Sequence, residues 1–126
     1  MRLKVVPFLV TVSTLVALGS VALAASYPYD VIVPHYGGTA LTASRLATGN
    51  HQSIYTASIG GSYNGRIYSN ITSNGTNHLS STNGRLYVGN TVYFDTSAHA
   101  GEKIQGLFWT AWWVPVYVQV KGNWSP

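Results

Sequence analysis

Beyond residue 25, β-branched and aromatic residues come in short runs separated by Gly and Asn, the pattern of short strands joined by turns. The runs predict strands at 29–34, 53–59, 66–72, 85–88, 91–95, 103–113 and 116–121. No stretch after the first two dozen residues repeats its apolar positions with the 3.6-residue period of a helix. The segment 41–47 fits either a strand or a single helical turn. The fold class this predicts is all-β, a small antiparallel β-sandwich of about seven strands.

The C-terminal segment gives the most specific expectation. If 103–113 and 116–121 form a hairpin around Val114-Pro115, Trp112 lies opposite Tyr117 and Ala111 opposite Val118. Side chains alternate with period two, so Leu107, Trp109, Ala111, Trp113, Val116, Val118 and Val120 then share one face, the expected core. Phe108, Thr110, Trp112, Tyr117, Gln119 and Lys121 share the other. Proline suits the second position of a primed turn poorly, which leaves the loop geometry less fixed than the faces. Asn-Gly at 64–65, 74–75 and 83–84 matches the positive φ angles of type I′ hairpin turns. Two of these dipeptides open a near-repeat, Asn64-Gly65-Arg66-Ile67-Tyr68 and Asn83-Gly84-Arg85-Leu86-Tyr87. Similar turn-to-strand junctions select similar residues, so one short match does not require a duplication, and repeat folds usually need three copies.

The first 24 residues follow a different pattern. Arg2 and Lys4 form a positive start, residues 5–18 an apolar run, and Ala22-Leu23-Ala24 a small-residue cleavage site. This is the organisation of a secretory signal peptide cut after Ala24. The apolar run is closed early by Gly19 and Ser20, short of the ~18 residues that usually span a bilayer. No cysteine follows that would take a lipid. The expected product is a secreted, extracellular domain of residues 25–126, and its lack of cysteine favours a bacterial exterior over a disulfide-stapled eukaryotic one.

About 100 residues suffice for one domain that buries a little over 60% of its unfolded surface. Removing Arg2 and Lys4 lowers the formal charge from +4 to +2, and the remaining bases, Arg45, Arg66, Arg85, Lys103 and Lys121, are scattered. Nucleic-acid binding wants a basic stripe, and none is present. An aromatic content of 13% also sets the chain apart from polar disordered tracts.

Catalytic chemistry has little to draw on. The acids are Asp30, Asp95 and Glu102, and paired-carboxylate hydrolysis needs two at a defined separation. Asp95 and Glu102 flank a loop containing His99, but ends of neighbouring strands are ordinary places for solvated charges. There is no Gly-x-Ser-x-Gly elbow. His35, His51, His78 and His99 show no metal-ligand spacing. The expectation is a non-enzymatic protein without metal or cofactor. Asn70-Ile71-Thr72, Asn74-Gly75-Thr76 and Asn123-Trp124-Ser125 match the N-glycosylation pattern, which matters only in a host that glycosylates.

The Trp and Tyr residues are the feature able to carry function, since flat aromatics exposed on a sheet stack on sugar rings or settle at a membrane interface. Trp109 and Trp113 are expected in the core. Trp112 and Tyr117, with Phe108 and Lys121 on the same face, form the candidate contact surface. The ending Val116-x-Val118-x-Val120-x-Gly122-x-Trp124 resembles that of a family of small cysteine-free secreted β proteins of Gram-positive bacteria. In size and composition the chain is also similar to the lactococcin-like bacteriocins, although it is longer and lacks their His-rich, more charged mature region. These resemblances imply secretion and a small β-sandwich, and carry over no functional residue. The expected function is binding of a cell-surface component, a cell-wall glycan or the membrane surface, through an exposed aromatic face. A bacteriocin-like antimicrobial role is the alternative.

Overall fold

The computed structural model describes residues 25–126, so the leader at 1–24 lies outside the described residues. Nine strands follow one another: β1 (Tyr27–Val33), β2 (Thr39–Leu41), β3 (Arg45–Leu46), β4 (His51–Ile59), β5 (Ile67–Thr72), β6 (Gly84–Leu86), β7 (Thr91–Asp95), β8 (Lys103–Thr110) and β9 (Val118–Ser125). They form two antiparallel sheets. Sheet I has the order β1-β9-β4-β7; sheet II has the order β2-β8-β5-β6, with β3 also paired to β8. The all-β sandwich inferred from the runs is the fold, with nine strands instead of seven. The ambiguous 41–47 stretch contributes the end of β2 and all of β3.

Alternation builds the core. On sheet I, Tyr29, Val31 and Val33 of β1, Val118, Val120 and Trp124 of β9, Ile54 of β4 and Phe94 of β7 are buried; from sheet II come Ile67, Ile71, Leu86, Ile104 and Phe108. The rings of Tyr29 and Phe108, one from each sheet, meet at 5.0 Å. Gly84 faces the same interior, where an added side chain would strike Phe94 and Val92. That contact explains a glycine within a strand.

The C-terminal hairpin does not form. β8 pairs with β2, β3 and β5, whereas β9 pairs with β1 and β4 in the other sheet. Residues 111–117 cross between sheets, anchored where the Ala111 amide donates to the Arg66 carbonyl (3.0 Å) and Val114 N to Ala111 O (3.0 Å). The expected faces are therefore right on β9 and inverted on β8. Phe108 and Thr110 point inward, and Trp109 lies on the outside of sheet II. A crossing loop transmits no register from one strand to the next, and a one-residue offset exchanges the faces.

None of the Asn-Gly pairs makes the expected hairpin turn. Gly65 and Gly75 have positive φ, but their preceding asparagines do not, and Gly84 lies within β6. The near-repeat is no structural repeat either: Ile67 and Leu86 are direct cross-strand partners, and their motif glycines adopt different conformations. Positive φ at two successive positions occurs instead at Tyr36 (52°) and Gly37 (77°), in a turn closed by Gly38 N donating to His35 O (3.0 Å).

Tyr29 gives the core a pH signature. Its hydroxyl donates to the Tyr55 carbonyl (3.1 Å) and lies 3.3 Å from Thr56 Oγ1. Burial pushes its phenol up from 10 to about 12, against a smaller downward pull from the Thr56 hydrogen bond. A native pKa above the unfolded one means the contribution is complete below pH ~10 and is lost as pH rises through the native value. Stability should fall by roughly 1.4 kcal/mol per pH unit between about pH 10 and 12. Alkaline denaturation of Tyr29→Phe should lack this component; an unchanged slope would show that Tyr29 ionises as it does in the unfolded chain.

Candidate functional site

One end of the sandwich is built from two loops, the 34–38 turn and the 111–117 crossing. Tyr36 N donates to Val114 O (2.8 Å), Gly37 N to Thr110 Oγ1 (3.0 Å), and Thr110 Oγ1 to Pro34 O (2.7 Å). Val114 is fully buried and plugs the end. Its neighbours stand out in solvent: Trp112 is 80% exposed and Tyr117 and Tyr36 61% each, with Trp113 and Val116 about half exposed. Tyr117 stacks on His35 at 5.1 Å, and His35 contacts Tyr36 at 4.5 Å. His35 Nδ1 is buried and has no hydrogen-bond partner among the described residues. The Arg66 guanidinium lies over Trp113 at 5.4 Å.

Tyr36 is the conformational outlier of this end. A bulky residue with positive φ is uncommon, and such a conformation costs of order 1–3 kcal/mol and persists only where the surroundings hold it. Here the Val114 carbonyl and the His35 ring hold it.

The four expected contact residues are thus divided. Trp112 and Tyr117 are exposed and belong to one loop, although not as a cross-strand pair. Phe108 is 0% exposed between the sheets and cannot reach a ligand, because β8 presents its even-numbered residues inward. Lys121 lies on β9 opposite Asp30, four residues and so about 13 Å along the strand from Tyr117. Trp113 and Val116, expected in the core, are surface residues of the crossing loop. Sequence reasoning missed Tyr36; the adjacent Gly37-Gly38 pair was the available turn signal.

A second aromatic surface lies on the outer face of sheet II. Thr39, Trp109, Tyr68 and Arg85 are successive cross-strand partners on β2, β8, β5 and β6. Trp109 stacks with Tyr68 (6.1 Å) and with His78 (5.2 Å), while Arg85 lies over Tyr68 (5.3 Å) and donates from Nη2 to its hydroxyl (2.9 Å). A cavity of about 470 Å³ opens beside Trp109, against the loop carrying Thr76 and His78.

The acids are occupied locally. Asp95 Oδ1 lies 2.7 Å from exposed His51 Nδ1, and Glu102 Oε1 accepts from the His99 amide at 3.0 Å. Asp95 ends β7 and Glu102 immediately precedes β8, so the two flank strands of different sheets and not neighbouring ones. No group of three or more His, Cys, Asp or Glu residues able to hold a metal occurs among the described residues. Of the three glycosylation patterns, the one at Asn70 is buried, while Asn74 and Asn123 are exposed.

Compared with family models, curated proteins and solved structures, the chain matches none.

Proposed function

We propose that this protein is a secreted, non-enzymatic binder of the bacterial envelope that docks on the membrane surface through the aromatic end formed by Tyr36, Trp112, Trp113 and Tyr117. The observation that carries this reading is the exposure of these rings on two loops tied to a buried plug, Val114. Large aromatics left in water by a soluble domain mark interaction sites. Trp and Tyr favour the lipid–water interface, where an apolar ring and a polar tip are both accommodated. Val116 and Ile32, also exposed, add aliphatic surface, and Arg66 adds a positive charge suited to anionic headgroups. The 111–117 loop holds no carboxylate or carboxamide side chain, the groups that usually grip a glycan's hydroxyls.

Each ring offers 150–250 Å² at about 25 cal/mol per Å², and part of that gain is offset by ordering and desolvation. Removing two rings should weaken binding at least about tenfold. The test is co-sedimentation of residues 25–126 with vesicles of phosphatidylglycerol and phosphatidylethanolamine, comparing wild type with the Trp112→Ala, Tyr117→Ala double variant. The variant should keep its far-UV spectrum and thermal midpoint and lose vesicle binding. Retained binding by the folded variant would place the contact surface elsewhere. Wild type that sediments with purified cell wall but not with vesicles would replace lipid by wall glycan as the partner. Release of a trapped dye from the vesicles together with growth inhibition would favour the bacteriocin-like alternative.

A further inference from the structure

We infer that the groove on the outer face of sheet II is a binding site for a neutral saccharide, separate from the aromatic end. Leu107, almost fully buried, and Trp109, half-buried, supply its apolar surface. Thr39, Thr76, His78 and Asn83, all exposed, supply hydroxyl, imidazole and carboxamide groups around it. The cavity, about 470 Å³, lies within the range of small-ligand sites, roughly 300–1,000 Å³.

The chemistry of the lining selects the ligand. No carboxylate, Lys or Arg lines the cavity, so neither an anion nor a cation gains a partner there. A wholly apolar ligand would displace water from these polar groups without replacing its hydrogen bonds. A pyranose ring has C–H groups to set against the apolar surface of Leu107 and the Trp109 indole and a periphery of hydroxyls that both donate and accept, which matches this mixture. Asn83 Oδ1 already accepts from Asn70 Nδ2 (2.8 Å). Its own amide protons have no partner among the described residues, which leaves them free for a sugar hydroxyl.

The site is also rigid before any ligand arrives. Asn77 Oδ1 accepts from Thr72 Oγ1 (2.6 Å) and from Ser73 N (2.9 Å), and Asn74 Oδ1 accepts from Thr76 N (3.0 Å) and Asn77 N (2.8 Å). This network fixes the loop that presents Thr76 and His78. Trp109 packs against both Tyr68 and His78. A preformed wall and a clamped indole reduce the ordering cost that weakens small-ligand binding.

The experiment is titration of residues 25–126 with neutral trisaccharides of the glucose, galactose and N-acetylglucosamine series, followed by tryptophan fluorescence and by amide chemical shifts. At least one series should bind with Kd on the order of 1 mM or tighter, shifting amides of residues 75–78 and 107–109. Trp109→Ala should weaken that binding about tenfold or more. Thr76→Arg fills the groove from an exposed loop position and leaves the core untouched; it should abolish binding with an unchanged thermal midpoint. Trp112→Ala should bind saccharide as wild type does, which separates this site from the membrane-docking end. Absence of shifts with all three series at about tenfold higher concentration, or full-strength binding by folded Thr76→Arg, would overturn the assignment. Binding that shifts residues 111–117 instead would do so too.

Discussion

Replacing Phe108 with alanine should lower the thermal midpoint by roughly 12 °C or more, since emptying a buried Phe site costs about 3–5 kcal/mol and a domain of this size loses at least ~4 °C per kcal/mol. Phe108 is fully enclosed and packs on Tyr29 at 5.0 Å across the two sheets. The cavity would open at the centre of the sandwich, where strand backbones on both sides cannot collapse into it. Trp109→Ala is the control. It removes a larger ring from the adjacent position but from the outer face, where the indole is half-buried against Tyr68 and His78. It should cost about 1 kcal/mol, in line with stacked aromatic pairs at a surface. If Trp109→Ala were the more damaging of the two, β8 would face the other way, as the hairpin reading required.

That pair of residues shows where the sequence stops being informative. The strand runs were legible because short β-branched and aromatic stretches bounded by Gly and Asn have few other meanings; 91–95 matches β7 end to end. The face of β9 was legible too, since Val118, Val120 and Trp124 alternate with Gln119, Lys121 and Asn123. β8 carries no such code. Leu107, Phe108 and Trp109 are three successive apolar residues, buried or half-buried on both faces because the 73–83 excursion covers part of sheet II. Their orientation follows from pairing with β5, which is a long-range fact. Neither the inner nor the outer set was distinguishable by period alone.

The candidate surfaces were legible in part and for similar reasons. Trp112 and Tyr117 were named from the alternation of a hairpin that does not form, and they are exposed for another reason: both lie on the crossing loop on either side of the buried Val114. Their company could not be named: Tyr36 reaches them from 75 or more residues away through the contact of its amide with Val114. The saccharide groove was invisible because its parts come from β2, β8 and an Asn-rich loop that reads in sequence only as a turn.

Asn70→Leu should destabilise the domain by about 3 kcal/mol or more, although leucine has the same branched four-atom side-chain skeleton as asparagine and the site is already fully buried. The Asn70 side chain satisfies four partners: Nδ2 donates to Ser80 O (3.1 Å) and Asn83 Oδ1 (2.8 Å), while Oδ1 accepts from Ser80 N (3.1 Å) and Ile71 N (2.7 Å). Ser80 is itself buried, so its backbone groups would lose their partners without gaining water. Each buried group left unpaired costs about 1–3 kcal/mol. The loss should be local before it is global. Amides of 73–83 should exchange with solvent much faster in the variant, while those of β4 and β9 change only with the overall stability. Asn70→Asp tests the donor side by itself. An ionised carboxylate keeps both acceptor contacts but faces the Ser80 carbonyl with no proton to offer, whereas a protonated one regains a single donor. The deficit of Asn70→Asp relative to wild type should therefore shrink as pH falls through the carboxyl's pKa. A stability within about 0.5 kcal/mol of wild type for Asn70→Leu, the ordinary range for surface substitutions, would mean that water replaces the amide. In that case the loop that walls the saccharide groove would be held by Asn74 and Asn77 alone.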